Sequence, residues 1–195
     1  MDKLALLKKL SKTIPEKDQK NPYWKFEPTI RHQHEILHND GTPLAANDFT
    51  FLIPILDYFR LVYKSFKTEA QVVVVGSKDR NKIDKSLLRL PFKNDKGLRL
   101  VVLPQENTAV SSIVPEEIWQ KYIVDRGIIP YARVHSHCTF DAYQSAIDYS
   151  TLNSGSLEIV IGHIFDDPSF CYWLDEKGKQ TKSFSFKVPF SVLST

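Results

Sequence analysis

Cysteine is scarce in this chain: Cys138 and Cys171 are the only two among 195 residues. With 42% hydrophobic and 12% aromatic residues, the chain has the composition to build its own apolar core without disulfide staples, which excludes a small disulfide scaffold and fits a reducing, cytoplasmic setting. No apolar run approaches the roughly 20 residues needed to span a bilayer. The opening stretch MDKLALLKKLSKTIPEKDQ alternates Leu with Lys and has no small-residue cleavage site, so no signal peptide is expected. No block of like charge occurs either: 26 basic and 23 acidic residues leave a formal charge of +3, which argues against nucleic acid as the main partner. Internal repeats and low-complexity segments are absent.

What is present reads as one compact domain with an extension. Residues 1–47 form the expected N-terminal extension. It contains a short amphipathic helix over Lys3 to Lys12, a polar linker from Pro15 to Pro22, and a strand with Ile30, His32, His34, Ile36 and His38 alternating before the Asn39-Asp40-Gly41 turn. Residues 48–195 form the expected main domain. Leu52, Ile55, Leu56, Phe59, Val62, Tyr63 and Phe66 follow steps of three and four, the stripe of a core-facing helix starting near Ile53, with Pro54 tolerated in its first turn. AQVVVVGS and LRLVVLP are buried strands. PEEIWQKYIVDRG is a second helix, with Pro115 at its start, acids in its first turn and Gly127 beyond its end. IIPYARVHSH reads as a strand, DAYQSAIDYSTLNSG as a helix, LEIVIGHIF as a strand, and FCYWLDEKGKQTKSFSF as a hairpin turning at Glu176-Lys177-Gly178. The alternation lacks strict βαβ regularity, so the expected fold class is α/β (α+β), a two- or three-layer mixed sheet flanked by helices.

The chemistry concentrates in YARVHSHCTFDAYQSAID. Residues i and i+2 of a strand share a face, so His135 and His137 can reach one ion while Ser136 points away to bond nearby backbone. Residues i and i+3 of a helix share a face, so Ser145 and Asp148 lie one turn apart, with Asp141 and Gln144 suited to cap the helix start. Two imidazoles and a carboxylate from rigid elements are the ligand set of a catalytic zinc, with a fourth position open for water. Ser145 then lies where a hydroxyl can steady an oxyanion. The water still needs a base that is not a ligand.

The spacing His135-x-His137, seven residues, Ser145, two residues, Asp148 resembles the motif of the JAMM (MPN+ or JAB) metalloprotease family, and four residue types at fixed offsets are a specific signal. The resemblance covers roughly Asp48 to Lys182. It implies a mixed sheet flanked by helices in a cytidine-deaminase-like layer arrangement. It also implies a general base at a glutamate where the first long helix gives way to a buried strand, which is Glu69 in YKSFKTEAQVVVVGS. Further implications are Zn²⁺ as cofactor and hydrolysis of amide or isopeptide bonds, with a protein or peptide substrate that extends to the tail of a ubiquitin-like protein. Family members commonly carry proline after the second histidine; this chain has Cys138, where a thiolate would be a competing ligand or a site of oxidation. Residues 1–47 match nothing in the family core.

Simpler readings stand beside these. Glu35, Glu106, Glu116 and Glu117 rival Glu69, the last two better explained by helix N-terminal charge. A second metal site at His32, His34 and His38 lacks a further acid or cysteine. His163 reads as a satisfied core histidine and Cys171 as an apolar filler. Tyr131, Phe140, Tyr143, Tyr172 and Trp173 line a groove or pack the core. The alternatives of another class are a non-catalytic MPN-like interaction module and a small-molecule amide hydrolase on the same site. Zinc-dependent nucleic-acid deamination is disfavoured because H-x-E with P-C-x-x-C is absent. Oligomeric state is not legible.

Overall fold

Helix α1 (Leu52–Phe66) buries Leu52, Ile55, Leu56, Tyr58, Phe59 and Val62, the stripe read from the sequence, and begins one residue before the expected start. Its N-cap Phe51 makes no side-chain cap bond and its first turn carries no acid. A cap contributes only about 1 kcal/mol, whereas each buried apolar side chain gains about 1.5–3 kcal/mol. Packing on the sheet therefore holds α1. Lys67 ends the helix in the left-handed conformation, φ 57°, with its N–H on the Tyr63 carbonyl.

The computed structural model describes residues 51–93, 97–145, 157–176, 179–180 and 184–187. The expected N-terminal extension, with its helix, linker and histidine strand, lies outside the described residues, as do Glu35 and Asp148.

One mixed sheet organises the fold. Its strands are β1 (Gln71–Val75), β2 (Leu88–Leu90), β3 (Arg99–Val102), β6 (Pro130–Ser136), β7 (Leu157–Gly162), β8 (Ser169–Glu176), β9 (Lys179–Gln180) and β10 (Phe184–Lys187). The order across the sheet is β10-β8-β7-β6-β1-β3-β2, with β9 paired to β8. The β6–β7 pair is parallel and the other pairs are antiparallel. A small hairpin, β4 (Glu106–Asn107) and β5 (Ser112–Ile113), stands apart from it. In the expected hairpin, β8 and β9 do pair around residues 177–178, with Glu176 opposite Lys179, and β10 then pairs along the same strand.

Val72, Val74, Ala132, Val134, Ile159 and Ile161 pack with α1 on one face. Val73, Val75, Val101 and Leu103 pack on the other, against Ile118, Trp119, Tyr122 and Ile123 of a second helical segment. That segment is α2 (Glu116–Trp119), continued by a wider turn over Gln120–Val124 whose end bonds span five residues: Asp125 N–H to Gln120 O and Ile128 N–H to Ile123 O. A helix on each face makes three layers. It also explains why β1 is buried at every position without alternation. No helix of the described residues is long and apolar enough to cross a membrane.

Candidate active site

The site is built where β1 begins and β6 ends. The antiparallel register sets Gln71 opposite His135. One step on, Ser136 donates its N–H to Ala70 O (3.0 Å) and its Oγ accepts the Ala70 N–H (3.1 Å), the backbone role expected of Ser136. One step further the same register opposes Glu69 to His137. Their amides turn outward, Glu69 N–H to Thr108 O and His137 N–H to Ile161 O, both 2.8 Å. Such a non-hydrogen-bonded pair is the geometry that brings opposed side chains closest. Glu69 is 4% and His137 6% exposed, so both are nearly dry at this strand end, and the alternation of the strand sets His137 on the face that also carries His135.

Glu69 stands apart from its rivals. Glu106, Glu116 and Glu117 are exposed, the last two in the first turn of α2. Glu158 is buried on this face but binds Arg133 at 2.6 Å, a guanidinium stacked over Trp119. The start of β1 is clamped by Gln105, whose Oε1 accepts the Gln71 N–H (2.7 Å) while its Nε2 donates to Gln71 O (3.0 Å). No sequence pattern singled out that glutamine, because its side chain replaces a strand partner.

The His135 and His137 ring centroids are 5.3 Å apart. Two imidazoles sharing one tetrahedral zinc through bonds of about 2.0 Å would have centroids about 5 Å apart. His137 Nδ1 lies 3.2 Å from the Asp141 carbonyl oxygen. A carbonyl only accepts, so Nδ1 is the donor in this contact, and in the neutral ring that is the tautomer of a metal-ligating histidine held by its second nitrogen. The Tyr143 ring stands edge-on to His137 at 4.6 Å, so this aromatic borders the site. The two residues thus fit a zinc ion. Among the described residues no group of three His, Cys, Asp or Glu is arranged to hold a metal, and the expected third ligand, Asp148, lies outside them.

The connection after β6 departs from expectation. Residues 141–145 were expected to begin a helix capped by Asp141; they are irregular. Their polar groups are engaged elsewhere: Asp141 O with His137, the Asp141 carboxylate with His163 Nε2 (3.0 Å), and the Ala142 N–H with Ser169 Oγ (2.8 Å). The carbonyl that would accept the first i→i+4 bond is thus turned to His137, and the carboxylate that would cap the helix is turned to His163. Ser145 is half-buried at the end of this run. Its expected relation to Asp148 lies outside the described residues.

Cys138, next in the chain after His137, is turned into the interior. It is 1% exposed, its Sγ donates to Thr68 O at 3.5 Å, and burial, then the charge of Glu69, push its thiol up to about 12. An enclosed thiol is a poor target for oxidation. Cys138 also has φ 52°, which proline cannot adopt, so the chain leaves His137 in a direction that the common family residue would forbid.

His163 is a further correction. It follows β7 at φ 50°, and its side chain, 30% exposed, pairs with Asp141 instead of lying satisfied in the core. Gly162 beneath it meets the 140–142 backbone so closely that a Cβ would overlap the Phe140 oxygen and the Ala142 nitrogen. Cys171 is the apolar filler expected, packed with Ala142, Val160 and Trp173. Tyr172 and Trp173 are buried, whereas Tyr131 and Phe140 are each 38% exposed. Searches of protein-family models and of curated proteins give no match to this sequence.

Proposed function

We propose that the protein is a zinc-dependent peptidase or isopeptidase of the JAMM type, in which His135, His137 and Asp148 hold the metal, Glu69 carries the proton and Ser145 steadies the oxyanion. The observation that supports this reading is the register of β1 and β6, which brings Glu69, an acid far away in the chain, opposite His137 at a buried strand end. Zinc, when bound, supplies a water of lowered pKa and a Lewis acid for the scissile carbonyl. Glu69 accepts the proton of the attacking water and returns it to the leaving amine, a role suited to a carboxylate in a site from which bulk water is excluded. The Asp141 carbonyl keeps the His137 tautomer, and the Ser145 hydroxyl donates to the developing oxyanion.

The substrate class that goes with this reading is an amide or isopeptide bond in a protein or peptide, extending to the tail of a ubiquitin-like protein and presented as an extended chain beside the sheet. Two free, buried cysteines accord with a cytoplasmic setting. The alternative of another class is a non-catalytic MPN-like interaction module.

Metal analysis separates the two. The full chain, purified and supplied with zinc, should retain about one zinc per chain, lost on His135→Ala or Asp148→Ala. A wild-type chain that holds no zinc under those conditions overturns the enzyme reading and leaves the interaction module.

A further inference from the structure

We infer that His163 and Asp141 are a positioning pair for His137: the imidazole of one and the carboxylate of the other fix the loop whose carbonyl sets the proton on His137 Nδ1. The inference rests on the zinc reading above, since only a metal on Nε2 gives that tautomer a use.

The geometry is a relay through one residue. His163 Nε2 meets Asp141 Oδ1 at 3.0 Å, and the main-chain oxygen of the same Asp141 lies 3.2 Å from His137 Nδ1. The turn they belong to is stitched to the end of β7 by backbone bonds, His163 N–H to Phe140 O (2.9 Å) and Ile164 N–H to Cys138 O (3.0 Å). Gly162 lets the two backbones touch. The Asp141–Ala142 peptide that carries this carbonyl is held at its other end by the Ala142 N–H bond to Ser169 Oγ (2.8 Å), and the His163 ring holds the side chain of the same Asp141.

His163 itself supplies the second line of argument. At φ 50° a glycine would sit without strain, and strain of this kind persists where the side chain is needed for function. Stability does not account for it, because the side chains of the pair are 30% and 45% exposed and a hydrogen bond between partly exposed groups contributes little. Orientation of a ligand does account for it, because carbonyls and carboxylates behind ligating histidines tune metal affinity.

The test uses the full chain, with zinc affinity read by chelator competition and the cobalt-substituted protein read by its d–d absorption. His163→Gly removes the strain and the ring together. It should unfold at the wild-type temperature or above, bind zinc about 10- to 100-fold more weakly, and shift the cobalt bands. Asp141→Ala should weaken zinc by a similar factor, and Asp141→Asn, which keeps an acceptor for His163, should recover most of it. Unchanged affinity in His163→Gly and Asp141→Ala overturns the inference while wild-type binding leaves the zinc reading standing. Loss of cooperative unfolding in His163→Gly overturns it too, by showing that the pair serves folding. A wild type without zinc affinity removes the reading and the inference together.

Discussion

Glu69 and His137 oppose one another one step past the Ala70–Ser136 bonds that close the β1–β6 ladder, and each turns its amide to a different neighbour, Thr108 for one and Ile161 for the other. Both residues are nearly fully buried, and His137 Nδ1 is committed to the Asp141 carbonyl.

If Glu69 carries the proton, Glu69→Gln keeps shape and hydrogen bonding but loses the base. Zinc content should match the wild type, while kcat on an amide-linked ubiquitin-like substrate falls by about 10²- to 10⁴-fold. Metal analysis and steady-state kinetics on the same preparation check this. Full turnover in the variant would remove Glu69 from the role.

Cys138→Pro restores the residue common in the resembling family and should nonetheless destabilise this chain. The ring fixes φ near −65°, against 52° here, so the loss should exceed about 1 kcal/mol in urea unfolding. Cys138→Gly, which accepts the turn, should be the milder change of the two. A proline variant as stable as wild type would mean that the turn after His137 is free to reverse.

Gly162→Ala places a methyl group on the backbone of residues 140–142. Backbone cannot swing aside as a flexible side chain can, so overpacking of about 1–3 kcal/mol is expected. The amide signals of Asp141 and His163 should shift with it. Chemical denaturation and an amide NMR spectrum test both parts.

Tyr58 is 3% exposed and its hydroxyl has no hydrogen-bond partner among the described residues. Burial pushes its phenol well above the usual range. Burial, then Cys171, push Tyr172 up to about 12. An unfolded tyrosine releases its proton near pH ~10. Above that pH the unfolded state binds fewer protons than the folded one, so stability present below pH ~10 declines as pH rises through about 12. Tyr58→Phe should be neutral or stabilising by about 1 kcal/mol at pH 7, because no bond is lost, and should flatten the alkaline decline. Melting temperatures across pH 7–11 are the measurement, and a clear loss at pH 7 would show that the hydroxyl is bonded.

Much of the fold is legible because its signals are local. The α1 stripe is a period of three and four that any core-facing helix must show, and it locates the helix to within one residue at its start and at Phe66. The run of valines in β1 signals a strand covered on both faces. His135 and His137 share a face for the same elementary reason, the alternation of a strand. Glu69 was found by resemblance at the junction of helix and strand; its position opposite His137 depends on register, which no local pattern encodes.

The stretch after the histidines went the other way. DAYQS has the composition of a capped helix start, and in isolation Asp141 would bond the amides that follow it. In the folded chain His163, Ser169 and His137 take those groups first. Two of these partners, His163 and Ser169, lie 22 and 27 residues downstream of the groups they bind and are invisible to a reading based on spacing within one turn.

Sequence alone thus determined which segments are apolar on one face or two, where the main helix begins and ends, and which residues could bind a metal. Tertiary structure decided which of them meet: the pairing of β1 with β6 that brings Glu69 to His137, the left-handed turn that closes Cys138 into the interior, and the His163–Asp141 contact behind the site. The division has one physical cause. Periodicity follows from the geometry of a single element, whereas register, loop direction and burial are set by competition for partners across the whole molecule.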